Sequence, residues 1–122
     1  MKYILVQKED KKYIECTPGG DNQLVNDQAA LDLVAACLEN DTHRLMLQAD
    51  NFTPEFFQLK TGLAGSILLK FANYYLKVAA VLTPELIGGG RFQEMVLETN
   101  RASNELRVFY DHDKAEEWLL RD

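Results

Sequence analysis

Lys77-Val78-Ala79-Ala80-Val81-Leu82, followed by Thr83-Pro84, is the stretch that decides the fold. Five consecutive apolar residues of strand length, closed by a helix-breaking pair, read as a strand covered on both faces. A strand of that kind belongs to a parallel sheet with helices packed on it, and the neighbouring segments supply them. Thr61 opens a helix whose apolar face is Leu63, Ile67, Leu68 and Phe71, reaching to about Tyr75. Before it, Arg44 to Ala49 is a strand carrying Leu45, Met46 and Leu47, and Thr53-Pro54-Glu55 is a further helix start with a hydroxyl cap.

Further upstream, Asn26 is placed to cap a helix that ends near Asn40, with Leu31, Val34, Ala35 and Leu38 as its apolar face. Residues 2–8 and 12–17 alternate apolar and polar around Glu9-Asp10, a hairpin pattern, and Pro18-Gly19-Gly20-Asp21-Asn22 is a loop. Downstream, Gly88-Gly89-Gly90 precedes a helix over about 91–101. A strand, Leu106 to Tyr110, and a short helix capped at Asp111 and carrying Ala115, Trp118 and Leu119 close the chain. The order β-β-α-β-α-β-α-β-α predicts a single α/β domain over 1–122. Its five-stranded sheet is mainly parallel, the N-terminal strand runs antiparallel at an edge, and helices pack on the sheet.

Composition narrows the function classes. The chain is 47% apolar and 26% charged, ordinary for a globular domain, with a net charge of -6 and no Lys/Arg cluster, which disfavours nucleic acid and anionic membrane surfaces. The N-terminal apolar run, Tyr3 to Val6, is too short for a secretory signal or an integral membrane segment, so a cytoplasmic location is expected. Cys16 and Cys37 lie among apolar residues and read as reduced, buried thiols. No metal knuckle and no cofactor motif is present, so no cofactor is expected.

The segment Leu59-Lys60-Thr61-Gly62-Leu63-Ala64-Gly65-Ser66-Ile67-Leu68 resembles the central turn of STAS domains, the anti-sigma-factor antagonists and their relatives, in which a strand runs into Asp-Ser-Ser/Thr-Gly-Leu and a helix. The order of elements matches, as does the ending Arg107-Val108-Phe109-Tyr110 with Asp111 and Ala115 to Leu120. Over nearly its whole length the chain resembles a bacterial family of domains of unknown function. That likeness rests on Phe56-Phe57 with Lys60 to Gly65, on Lys77 to Val81, and on Gly90-Arg91-Phe92-Gln93-Glu94-Met95-Val96. The resemblance implies a STAS-like fold and supplies no activity. Where the antagonists carry a phosphorylated hydroxyl residue preceded by Asp, this chain has Lys60 preceded by Leu59, so the switch is missing. Thr61 keeps a hydroxyl whose simplest use is as a helix cap.

No catalytic set is found. Ser66 lacks a Gly-x-Ser-x-Gly elbow, His43 and His112 have no paired nucleophile, and Asp111-His112-Asp113 reads as a cap with first-turn charges. Two non-enzymatic functions are expected. The first is a protein-interaction or regulatory module docking another protein, or a second copy as a homodimer. The second is a binding domain for a small, partly apolar or acidic ligand in the crevice at the strand C-terminal ends. The residues expected to bind are Lys60, Thr61 and Gly62, then Gly90 and Arg91, whose backbone and guanidinium suit an anion, and the aromatics Phe57 and Tyr75. The aromatic stretch over 52–75 is mostly core, but Phe56-Phe57 and Tyr74-Tyr75 each require a wide buried stripe or leave one ring exposed.

Overall fold

A computed structural model describes residues 1–87 and 106–121. The strands are β1 (Tyr3–Lys8), β2 (Lys11–Cys16), β3 (Arg44–Gln48), β4 (Lys77–Val81) and β5 (Leu106–Phe109). They form one sheet in that spatial order, with β1 antiparallel to β2 and all other pairs parallel. The helices are α1 (Asp27–Glu39), α2 (Leu63–Asn73), the single turn α3 (Pro84–Ile87) and α4 (His112–Leu120). The mixed α/β architecture with an antiparallel N-terminal edge strand is the expected one. The helix expected over 91–101 lies outside the described residues.

Alternation along the strands divides the interior into two clusters. Ile14, Cys16, Leu45, Leu47, Val78 and Ala80 face α1 and α2, while Tyr13, Met46 and Ala79 face α4 through Ala115, Trp118 and Leu119. Crossovers of one hand between neighbouring parallel strands put α1 and α2 on the same face. Their first turns are tied by the Ser66 hydroxyl, which donates to Asp27 Oδ1 at 2.5 Å.

Three local expectations are corrected. In α1 the buried positions are Ala29, Ala30, Leu33, Val34, Ala36 and Cys37, so the helix is turned about one residue from the expected face, and Leu38 is 52% exposed. The run Ala29 to Leu38 is apolar at almost every position, and the face that is buried carries three alanines and a cysteine. Second, Thr53-Pro54 opens not an α-helix but a 3-10 turn, Pro54–Phe57, followed by another, Leu59–Thr61, and Thr53 makes no capping bond. Third, Ile4, one of the apolar positions in the alternation over 2–8, is 51% exposed on β1, the edge strand of the sheet. By contrast, the Asn26 side chain caps α1 by accepting from Ala29 N at 3.0 Å, and Asp111 caps α4 by accepting from Asp113 N at 3.1 Å.

The last turn of α4 is held by cations from the first residues of three strands. Lys11 Nζ donates to Leu120 O at 2.8 Å, Arg44 Nε to Leu119 O at 3.0 Å, and Lys77 Nζ to Trp118 O at 2.7 Å. The last carbonyls of a helix lack the usual partner four residues on, although Trp118 O also accepts from Arg121 N at 3.2 Å, and the helix dipole places negative charge there. Lys77 Nζ also sits 4.6 Å from the centre of a Trp118 ring.

On the exposed side of α4, Glu116 accepts from Lys8 Nζ at 2.8 Å and from the buried Tyr13 hydroxyl at 2.6 Å. These bonds, that from Lys8 first, hold the Glu116 carboxyl below its usual range. Its folded pKa therefore lies below the unfolded value near 4.5, so its contribution to stability is present above that value and lost as pH falls through the folded one. Glu116→Gln is expected to lower stability at pH 7 and to flatten its fall below about pH 4.5, read by urea denaturation across pH.

Candidate functional site

Parallel strands deliver three connections to one edge of the sheet, and a cavity of about 540 Å3 lies between them. From the β2–α1 connection come Gly19, Gly20 and Gln23. The β3–α2 connection gives Ala49, Asp50, Phe52, Thr53, Pro54 and Phe57, and Glu85 follows β4. The position, at the carboxyl ends of parallel strands, is where open α/β sheets hold ligands, and the volume suits a small molecule.

The walls are fixed by two buried asparagines. The Asn51 amide donates to Thr17 O at 3.0 Å and Asn22 O at 2.9 Å, and its Oδ1 accepts from Gln48 N at 2.7 Å. Asn22 Nδ2 donates to Thr17 O at 2.9 Å and to Lys2 O at 3.1 Å, and Leu24 N donates to Asn51 O at 2.8 Å. The loop after β2 is thus bonded to the end of β3 rather than left free, as buried polar groups require. Phe52 and Phe57 form a further wall and pack with the core residue Phe56, the ring centres lying 4.8 to 5.8 Å apart.

Thr53 is the exception to this satisfaction. It is 7% exposed, and its buried hydroxyl has no hydrogen-bond partner among the described residues. Leaving such a group unpaired costs about 1–3 kcal/mol, and because neighbouring atoms cover the oxygen it offers no contact to the cavity. Among the described residues the acidic members of the wall are Asp50 and Glu85, and no described Lys, Arg or His lines it.

Of the residues expected to bind, Phe57 lines this cavity, whereas Lys60, Thr61, Gly62 and Tyr75 do not. Gly90 and Arg91 lie outside the described residues. Lys60 is exposed in the 3-10 turn before α2. The Thr61 hydroxyl accepts from Leu63 N at 3.2 Å and donates to Gln58 O at 2.8 Å, joining that turn to the helix. Gly62, at φ 75°, takes the left-handed conformation that lets the chain enter α2.

Tyr75 stands at the opposite edge of the sheet, where α2 ends and β4 begins. Its own N–H donates to Ala72 O at 3.0 Å and that of Leu76 to Phe71 O at 3.0 Å, a Schellman ending with Tyr75 at the left-handed position, φ 59°. Turn geometry thus accounts for its 83% exposure.

A family model described as a domain of unknown function (DUF4180) matches residues 8–119. The chain belongs to the DUF4180 family. No curated protein and no solved structure gives a significant match. In this DUF4180 chain every residue lining the cavity falls within the matched span.

The remaining polar constellations are structural. His112 Nε2 lies 3.0 Å from Glu15 Oε1, and Glu15 Oε2 accepts from Gln48 Nε2 at 3.0 Å, with no nucleophile among these contacts. Cys16 and Cys37 are buried free thiols, pushed by burial up to about 11 and about 12, so both stay protonated and unreactive at neutral pH.

The sequence marks Pro18 to Asn22 as a loop but not as a wall. The available signal is its position directly after a parallel strand. Asn51→Ala is expected to destabilise the fold by about 1–3 kcal/mol and to speed amide exchange at residues 17–24, by urea denaturation and exchange NMR. Tyr75→Gly is expected to stabilise it by about 0.5–1 kcal/mol in the same denaturation assay, by relieving a left-handed non-glycine residue.

Proposed function

We propose that this domain binds a small, partly apolar molecule in the cavity at the carboxyl ends of β2, β3 and β4, and performs no chemistry on it. The observation that carries the reading is the cavity itself. Its two connecting loops are held by the Asn22 and Asn51 bonds, and its surface joins aromatic rings to a few polar groups. The STAS-like turn at residues 59–68 supports a role in recognition rather than catalysis, within the cytoplasm of a bacterial cell; that part of the reading rests on analogy. No helix among the described residues is long and apolar enough to cross a membrane.

A docking role is the second reading. Leu69, Tyr74 and Tyr75 are exposed along and after α2, and a partner protein or a second copy would cover apolar surface there. The cavity is favoured because it is concave and its loops are already bonded in place, whereas the exposure of Tyr75 comes from its turn.

Screening a library of small aromatic fragments by amide NMR tests the proposal. Binders are expected to shift Gly19, Gly20, Ala49 and Phe52. Gly20 has open space where a side chain would begin, so Gly20→Trp should leave stability within about 0.5 kcal/mol. The same variant should weaken binding roughly tenfold by filling the cavity. Fragments that bind only elsewhere, or none that bind, would refute the reading.

A further inference from the structure

We propose that this protein forms a symmetric dimer by pairing the free edge of β1, antiparallel, with β1 of a second copy, so that one sheet runs through both. The surface lies away from the cavity, and the proposal does not rest on the binding function.

β1 is the edge strand of the sheet, and its pairing with β2 runs unbroken from Tyr3–Cys16 to Lys8–Lys11. Thr17 N donates to Lys2 O at 3.2 Å, which makes Lys2 and Thr17 a hydrogen-bonded pair. In an antiparallel ladder such pairs alternate with pairs whose backbone groups point away. Ile4, Val6 and Lys8 therefore bond to β2, and the N–H and C=O of Tyr3, Leu5 and Gln7 point to the free side. The far side of β2 agrees in phase. There the carbonyls of Lys12 and Cys16 face β3 and accept from Thr42 Oγ1 at 2.6 Å and Gln48 Nε2 at 3.3 Å.

An open row of donors and acceptors is a template for another strand, and proteins that stay single blunt it with proline, a bulge or a central charge. The middle of β1 carries none of these. It holds Ile4 and Leu5, 51% and 44% exposed, on opposite faces of the sheet: Leu5 pairs with Ile14, which faces α1 and α2, and Ile4 shares the α4 face with Val6. Lys8, at the end of the strand, is drawn back onto the domain's own Glu116.

A second copy is the occupant because this edge complements itself. A two-fold axis normal to the sheet, placed between the two Ile4 residues, sets Tyr3 opposite the partner's Leu5, and both have outward backbone groups to exchange. Ile4 then meets the partner's Ile4 at a pair without backbone bonds, where side chains approach most closely. Both exposed apolar side chains are covered. Charge selects this register. An axis at Leu5 would set Lys2 opposite the partner's Lys8 at both ends, whereas the axis at Ile4 sets Lys2 opposite the partner's Val6. An axis at Val6 would set Ile4 against the partner's Lys8 and Tyr3 against the partner's Glu9, where a φ of 59° has already ended the strand. Residues 1–8 carry two lysines and no acidic side chain in a chain of net charge -6, so each basic edge is drawn to an otherwise acidic copy. One strand edge with its flanking side chains falls below the roughly 1,200 Å2 of stable complexes, so the dimer is a weak one, with a Kd of roughly 10 to 1,000 μM.

Sedimentation velocity of the whole chain, from about 10 μM to about 1 mM, is expected to show monomer giving way to dimer. Amide exchange of Tyr3 and Leu5 should slow in step with the dimer, while that of Ile4 and Val6, already bonded to β2, should not. Ile4→Lys places like charges at the axis, and Leu5→Pro removes an outward N–H while leaving the bonds to β2 in place; each should weaken association roughly tenfold or more. Under mild oxidation Ile4→Cys should cross-link into a dimer and Gln7→Cys should not, since this register holds the two Gln7 residues far apart; Cys16 and Cys37 are buried and do not compete.

A chain that stays monomeric throughout refutes the proposal. So does a dimer that both folded variants leave unchanged, because another surface then makes it. Cross-linking of Gln7→Cys as fast as Ile4→Cys would contradict the register and with it the proposal. Should both substitutions unfold the chain, the wild-type exchange decides, and Tyr3 and Leu5 amides that stay fast in the dimer rule out pairing at this edge.

Discussion

Burial of Val78, Ala79 and Ala80 on both faces of β4 is the constraint to which the other elements answer. Val78 and Ala80 need cover from one side and Ala79 from the other, since an apolar strand gains stability only where both faces are removed from water. On the first side α1 and α2 close over the sheet, joined by the Ser66–Asp27 bond. On the second side, among the described residues, the short helix α4 buries Ala115, Trp118 and Leu119. The small apolar face of α4 is supplemented by polar anchoring at both ends of the contact. Lys11, Arg44 and Lys77 bond its final carbonyls, and Lys8 with Tyr13 bonds Glu116. The strand beginnings thus serve as the fastening edge of the domain.

That division of labour leaves the strand ends free for another purpose. With the N-terminal edge of the sheet occupied by the α4 clamp, the chain's loops at the C-terminal edge are arranged around empty space. Asn22 and Asn51 hold the loops by bonds to backbone groups, so the cavity does not depend on apolar collapse for its shape. A site whose frame is built from buried, satisfied amides is set before a ligand arrives, which limits the entropy lost on binding.

The order of elements is legible in the sequence because each segment shows one clear period: consecutive apolar residues in β4, alternation in β2, and a helical face in α2. The rotation of α1 is not legible, because Ala29 to Leu38 offers apolar residues to several faces and only the close approach of Ala30, Leu33, Val34 and Cys37 to the sheet chooses among them. The 3-10 turn at Pro54 carries the same hydroxyl and proline signal as an α-helix start; the difference arises two residues later, where Phe56 must turn into the core within one turn. Among the site residues, Thr61 and Gly62 are legible as local turn chemistry. The cavity is not, since Gly20, Asp50 and Glu85 are brought together by crossovers that no single stretch of sequence displays. Lys60, expected to bind from its place before a helix, is exposed in the structure and lies outside the cavity's wall.

The account's central claim is that the space bounded by Gly20, Asp50, Phe52, Thr53, Phe57 and Glu85 holds a small molecule. A high-resolution crystal structure of the protein isolated from its native cells under mild conditions tests it most directly. The account predicts density in that space for a compact molecule, with apolar atoms against the Phe52 and Phe57 rings. A cavity filled by the chain's own side chains would contradict it.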